Sequence, residues 1–124
     1  MKVHYITVAT KPHPILNNII KRVKNNKEKL YILGMQENRL IGWNAKGNFG
    51  VKLKEVKNYI DNDKLDNEDI IIFTDAYDVI YTGNQEIILD RYLNMKKPII
   101  FGSETECNPD PEREKDYINM NEKF

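Results

Sequence analysis

Apolar residues along this chain fall alternately into short continuous runs and helical stripes. Lys2 to Ala9 reads as a first strand, with Val3, Tyr5 and Thr7 alternating against His4, Ile6 and Val8. After the loop Thr10-Lys11-Pro12-His13-Pro14, Ile15, Ile19 and Val23 recur at i, i+4 and i+8. That spacing predicts a helix over about Ile15 to Asn25 whose apolar stripe lies on a sheet. Leu30 to Leu33 is a second short strand, closed by Gly34. Val51 to Asn62 forms the next helix, with Val56, Tyr59 and Ile60 on one face. Ile70 to Thr74 is the third strand, and Gln85 to Met95 a third helix carrying Ile87, Ile88, Tyr92 and Leu93. Pro98 to Gly102 completes the series as a fourth strand. The order β-α-β-α-β-α-β predicts an α/β fold with a mostly parallel sheet and right-handed crossovers.

Two stretches lack such periodicity. Met35 to Gly50 holds Gly42, Gly47, Gly50 and the only tryptophan, Trp43. A connection of that length in a compact domain is typically a binding loop or a disordered segment. From Ser103 onward the chain is acidic, carries Pro109 and Pro111, and reads as a solvated tail.

Length and charge narrow the function classes. With 124 residues, the chain predicts one domain over 1–124. Nineteen basic residues balance nineteen acidic ones, which excludes a nucleic-acid binder relying on counterion release. Apolar runs of four or five residues are too short to span a membrane, so no membrane partner is expected. The N-terminus Met1-Lys2-Val3-His4-Tyr5-Ile6 lacks the apolar core of a signal peptide, which makes the cytoplasm the default expectation. Cys107 stands alone, so no internal disulfide forms. Ala9-Thr10-Lys11 follows the first strand, where a phosphoacceptor receiver needs an acidic pair and a dinucleotide or P-loop site needs a glycine-rich turn. His4 and His13 have no metal-like spacing to each other or to Cys107 and read as ordinary surface or core histidines.

The most informative segment is Ile70-Ile71-Ile72-Phe73-Thr74-Asp75-Ala76-Tyr77-Asp78-Val79-Ile80. Four consecutive apolar residues predict a strand buried on both faces, as in a helix-covered parallel sheet. Ligands of such sheets bind beyond the carboxyl ends of the strands, where Asp75 and Asp78 emerge. Two hard oxygen ligands there suit Mg²⁺ or Mn²⁺ held jointly with a nucleotide's phosphates. The competing reading is a solvated acidic turn that caps the next helix.

Thr7-Val8-Ala9-Thr10, Leu33-Gly34, the Gly/Asn-rich loop, Phe73-Thr74-Asp75-Ala76-Tyr77-Asp78-Val79-Ile80 with Gly83, and Phe101-Gly102-Ser103-Glu104 with Cys107 and Pro109 together carry a resemblance. In this order they resemble the glycosyltransferase domain of the procollagen glycosyltransferase and lysyl hydroxylase family, over residues 3 to about 110. The resemblance implies a Rossmann-like GT-A nucleotide-binding core, a UDP-sugar donor (UDP-glucose or UDP-galactose), Mn²⁺ and a collagen-like acceptor. Asp75 and Asp78 would bind Mn²⁺, which bridges the donor's phosphates. Tyr77 would lie against the uracil ring, its alternative being a core-facing aromatic at the strand end. Thr10 would meet the base edge with its hydroxyl, its alternative being a turn or helix-cap hydroxyl. Trp43 either stacks on the base or anchors its loop beside Lys46, and Lys52 would neutralise phosphate.

The resemblance also sets departures. The family's transferase domain runs on past the position of Phe124, and that further part holds a third metal ligand, a histidine, and the acidic residues of catalysis. The family's tryptophan between the Cys and Pro positions is replaced by Asn108, in a loop that closes over the sugar, and the loop from Met35 to Gly50 differs in length. The resulting expectation is the nucleotide-binding half of a transferase, which associates with itself or with a second half. Its alternative is a non-catalytic UDP-binding or interaction module.

Overall fold

The computed structural model describes residues 1–39, 50–103 and 110–118. The chain divides into two compact units, Met1–Leu89 and Asp90–Phe124. The first contains β1 (Val3–Val8), α1 (Pro14–Asn25), β2 (Tyr31–Leu33), α2 (Gly50–Asn62), β3 (Ile70–Thr74) and the start of α3 (Gln85–Asn94). Its sheet has the order β2-β1-β3, with both pairings parallel. Ile6 faces Tyr31 and Val8 faces Leu33 on one side of β1, while Val3 faces Ile70 and Thr7 faces Thr74 on the other. This is the α/β arrangement that the alternating pattern predicts, consistent with the Rossmann-like core that the resemblance implies.

The order of the strands matters more than their number. From β1 the chain crosses to β2 on one side and then returns past β1 to β3 on the other. Crossovers of one hand that run in opposite directions place their helices on opposite faces of the sheet. Side-chain contacts agree: Tyr5 packs with Ile19 and Val23 of α1, whereas His4, on the other face, bonds Tyr59 of α2. The carboxyl ends of β1 and β3 therefore flank a topological switch point, the crevice where open α/β sheets bind ligands.

β1 is the strand buried on both faces, with His4 through Val8 all inaccessible. The expectation of a doubly buried β3 is corrected, because Phe73 is 43% exposed and the other four residues are half-buried. β3 lies at the edge of the described sheet, and an apolar run reports apolarity without reporting how many neighbours it has. α1 begins where His13, in extended conformation, accepts the Ile15 N–H at Nδ1 and Pro14 takes the first turn. Leu16, Ile19 and Val23 are its buried residues, with Ile15 packed beside them.

The face assigned to α2 also needs correction. Val51, Glu55 and Tyr59 are buried, while Ile60 is exposed and Val56 only half-buried. Glu55 is tolerated inside because Gln36 Nε2 donates to its Oε1 at 3.1 Å and Lys54 lies at 3.8 Å. Gly34 closes β2 at φ +93°, and a Cβ there would meet Val8 Cγ1 at 3.3 Å. Backbone conformation and space thus both favour glycine at this turn.

At the amino ends of β1 and β3 a buried polar relay ties β1 to α2 and to the residue before β3. His4 contacts the Tyr59 hydroxyl through Nδ1 at 2.7 Å and Asp69 Oδ2 through Nε2 at 3.1 Å. Asp69 also accepts the N–H groups of Asp66 and Lys2. The Asp66 N–H, the His4 ring and the Lys2 N–H hold the Asp69 carboxyl down at about 2, against an ordinary 3.8. Burial and the nearby Asp63 carboxylate push the Tyr59 hydroxyl up to about 12. A depressed carboxyl contributes stability that is present above its unfolded pKa and is lost as pH falls through its folded one. The chain should therefore lose thermal stability between about pH 4 and pH 2, and Asp69→Asn should flatten that loss. Melting curves across this window check both.

In the second unit, Met95 N–H closes α3 on Arg91 and Tyr92, and the Tyr92 hydroxyl donates to the Pro98 carbonyl at 2.8 Å. The fourth strand predicted at Pro98 to Gly102 does not form: this segment has no ladder, and Ile99 and Phe101 are exposed. A strand needs a partner for its backbone groups, which local composition does not supply. Asp110 caps a short 3₁₀ turn, Pro111–Arg113, that continues into α4 (Glu114–Ile118). Part of the stretch read as an acidic tail is therefore helical. Among the described residues no helix is long and apolar enough to cross a membrane.

Candidate functional site

The site is assembled at the carboxyl ends of β1 and β3. Thr74, the last residue of β3, is fixed by two side chains from β1. The Thr7 hydroxyl donates to its carbonyl at 2.7 Å, and the Tyr5 hydroxyl shares a hydrogen bond with its Oγ1 at 3.0 Å. Burial raises the Tyr5 hydroxyl above its ordinary pKa, which keeps it protonated and able to donate. Asp75 therefore leaves the sheet from a residue held at two points by β1. Neither Tyr5 nor Thr7 stands out in the sequence, since each reads simply as a strand residue.

Beyond Asp75 the chain turns so that Tyr77 points back toward β1. Its hydroxyl oxygen accepts the N–H groups of Thr10 (3.0 Å) and Lys11 (3.1 Å) and donates to the Lys11 carbonyl (3.1 Å). Three backbone groups of the β1–α1 loop thus close on one phenol. The ring packs on the small cluster of Ala9, Leu16 and Ala76, and His13 lies 5.1 Å away between centroids at a tilt of 48°. Tyr77 stays half-buried.

Thr10 and Tyr77, two of the predicted binding residues, are brought into direct contact. Thr10 is 2% exposed, and its hydroxyl donates to the Arg39 carbonyl. That is a turn hydroxyl tying the β1–α1 loop to the chain after β2, while the helix cap itself falls to His13. The short turn Met35–Glu37 is anchored in turn by Lys54 and Arg39 on Glu37. The Lys54 ammonium is the main reason that the Glu37 carboxyl lies below its ordinary range.

Lys52 and Asp75, also predicted, form an ion pair at the site. Lys52 Nζ lies 2.6 Å from Asp75 Oδ1, with side chains 31% and 44% exposed. Lys52 is in the first turn of α2, so the order β2-β1-β3 is what brings it to the end of β3. Asp78, at the next bend, is exposed. Trp43, Lys46, Cys107 and Asn108 lie outside the described residues. His13, read as an ordinary histidine, is a further residue of this neighbourhood that the sequence does not single out. Its position directly before Pro14 was the available signal for a cap.

Asp75 fits a divalent cation in two respects. It offers a hard carboxylate at an open strand end, and a cation, the Lys52 ammonium, already sits against it. Among the described residues no three His, Cys, Asp or Glu side chains converge, and Asp75 and Asp78 are the carboxylates that this strand end presents. A separate cleft of about 220 Å³ is lined by Arg22, Asn25, Asn26, Tyr81, Thr82 and Gly83, with no carboxylate among its lining residues.

Comparison with known proteins gives a consistent result. The sequence model of the family described as the PLOD GT domain matches residues 1–124. The chain is 32% identical over 116 residues to the Procollagen-lysine,2-oxoglutarate 5-dioxygenase of Drosophila melanogaster, covering 94% of this chain and 16% of that protein. It is 27% identical over 119 residues to the Multifunctional procollagen lysine hydroxylase and glycosyltransferase of Caenorhabditis elegans, covering 90% of this chain and 16% of that one. The chain thus spans only a small part of the length of these curated relatives.

Proposed function

The chain belongs to the PLOD GT domain family, and from that premise we propose that it is the nucleotide-sugar-binding part of a glycosyltransferase, taking a UDP-sugar together with Mn²⁺. The single observation that carries this reading is Asp75 at the carboxyl end of β3, beside the switch point and in contact with a cation. Asp75 and Asp78 hold the metal, and Lys52 offsets phosphate charge. Tyr77 orders the β1–α1 loop and offers its ring to the base. When bound, Mn²⁺ supplies charge stabilisation to the departing diphosphate.

The donor is UDP-glucose or UDP-galactose, and the acceptor a hydroxylysine of a collagen-like chain. Transfer needs that acceptor held in line with the anomeric carbon, and such positioning accounts for much of the acceleration in group transfer. Mass spectrometry of a hydroxylysine-containing collagen peptide incubated with the chain, the donor and Mn²⁺ measures whether this chain alone positions the acceptor.

Ligand-dependent melting tests the proposal. A ligand that binds only the folded chain stabilises it by about 2.7 kcal/mol at a hundred times its Kd. UDP-glucose or UDP-galactose should raise the melting temperature in Mn²⁺ but not in EDTA, and ADP-glucose should not raise it. Equal shifts with the uridine and adenosine sugars would contradict the assigned substrate class.

A further inference from the structure

We infer that Lys52 is the resident counter-cation of Asp75, displaced by the metal and recaptured by the nucleotide's diphosphate, so that metal and nucleotide bind as a coupled pair. This rests on the reading of Asp75 and Asp78 as metal ligands. Lys52 occupies the first turn of α2, where the positive end of the helix macrodipole disfavours a cation. That turn contains no acidic residue, and Asp75 at 2.6 Å is the acidic partner of Lys52 among the described residues. The carboxylates closest along this helix and its neighbouring turn are already engaged: Glu55 by Gln36 and Lys54, Glu37 by Lys54 and Arg39.

A divalent ion that takes Asp75 therefore breaks an existing ion pair. With Asp75 and Asp78 both taken by the ion, the Lys52 ammonium and the helix end are left as neighbouring positive charges beside it with no carboxylate of their own. Metal alone binds weakly under those conditions. A diphosphate removes the difficulty, because its oxygens serve the metal and Lys52 together. Linkage makes the effect reciprocal, so the nucleotide tightens the metal by the factor with which the metal tightens the nucleotide. Lys52 thereby discourages the site from filling with metal in the absence of nucleotide.

Lys52→Met, which keeps the aliphatic stem and removes the charge, should produce two effects of opposite sign. Mn²⁺ binding without nucleotide, followed by the electron paramagnetic resonance signal of the free ion, should tighten about tenfold, within the usual range of coupling between sites. UDP binding in saturating Mn²⁺ should weaken by a similar factor. A Lys52→Met chain whose Mn²⁺ affinity is unchanged or weaker would overturn the inference. A second measurement needs no variant: the Lys52 ammonium ¹⁵N resonance of the wild-type chain should move on adding Mg²⁺ and move again on adding UDP. A resonance unmoved by Mg²⁺ that demonstrably binds would also overturn it. Failure of the underlying site has a different signature, namely Asp75→Asn binding Mn²⁺ as tightly as the wild type.

Discussion

Asp75→Asn and Asp78→Asn should each weaken Mn²⁺-dependent UDP binding by more than about 100-fold. Removing even an outer partner of a metal ligand costs about 10–100-fold in affinity, and these two carboxylates are proposed as ligands themselves. Asparagine keeps the shape and one carbonyl oxygen while removing the charge, so the loss isolates electrostatics from packing. The fold should survive. Asp78 is exposed, and the Asp75–Lys52 pair is open enough to solvent to contribute no more than about 1 kcal/mol. Equilibrium dialysis with labelled UDP, with and without Mn²⁺, measures the effect. Asp61→Asn, on the exposed surface of α2, is the matched control and should behave as wild type. A variant at Asp75 or Asp78 that binds like the control would show that the metal is held elsewhere.

Tyr77→Phe should destabilise the chain by about 1–3 kcal/mol and weaken UDP binding at the same time. The substitution preserves the ring and its packing on Ala9, Leu16 and Ala76 but deletes the oxygen that serves Thr10 N–H, Lys11 N–H and the Lys11 carbonyl. Thr10 is buried, so its N–H would lose its partner without gaining water, and an orphaned donor costs about that much. The β1–α1 loop borders the site, so its loosening should appear in UDP affinity as well as in denaturant midpoint. Tyr77→Leu, which also removes the aromatic face, should cost further affinity if the ring stacks on the base. Equal UDP affinities for the phenylalanine and leucine variants would assign Tyr77 to loop closure alone.

The legible parts of this structure are those that depend on nearest neighbours along the chain. β3 and the cores of β1, β2, α1 and α3 follow directly from apolar runs and from the recurrence of Ile19 and Val23. The buried face of α2 departs from its apolar pattern because Ile60 is apolar yet exposed, while Glu55 is charged yet buried against Gln36 and Lys54. Binary pattern carries no information about such compensation. The segment Pro98 to Gly102 has strand composition without a strand, since ladder hydrogen bonds belong to pairs of segments.

The site divides in the same way. Asp75 and Asp78 could be placed from sequence because a strand end predicts where its next residues emerge. The Tyr77 hydroxyl bonds, the Thr10 link to Arg39 and the Lys52–Asp75 pair could not, because each joins positions at least 23 residues apart through strand order. His13 is only partly legible for a related reason. Its cap on Ile15 is local, but its proximity to Tyr77 arises only when β1 and β3 lie side by side.

Calorimetric titration of the wild-type chain with UDP, once in Mn²⁺ and once in EDTA, tests the central claim most directly. The account predicts saturable one-to-one binding in Mn²⁺ that disappears in EDTA and returns when excess Mn²⁺ is restored. Binding of equal strength in EDTA, or no binding in either buffer by a chain shown to be folded, would contradict it.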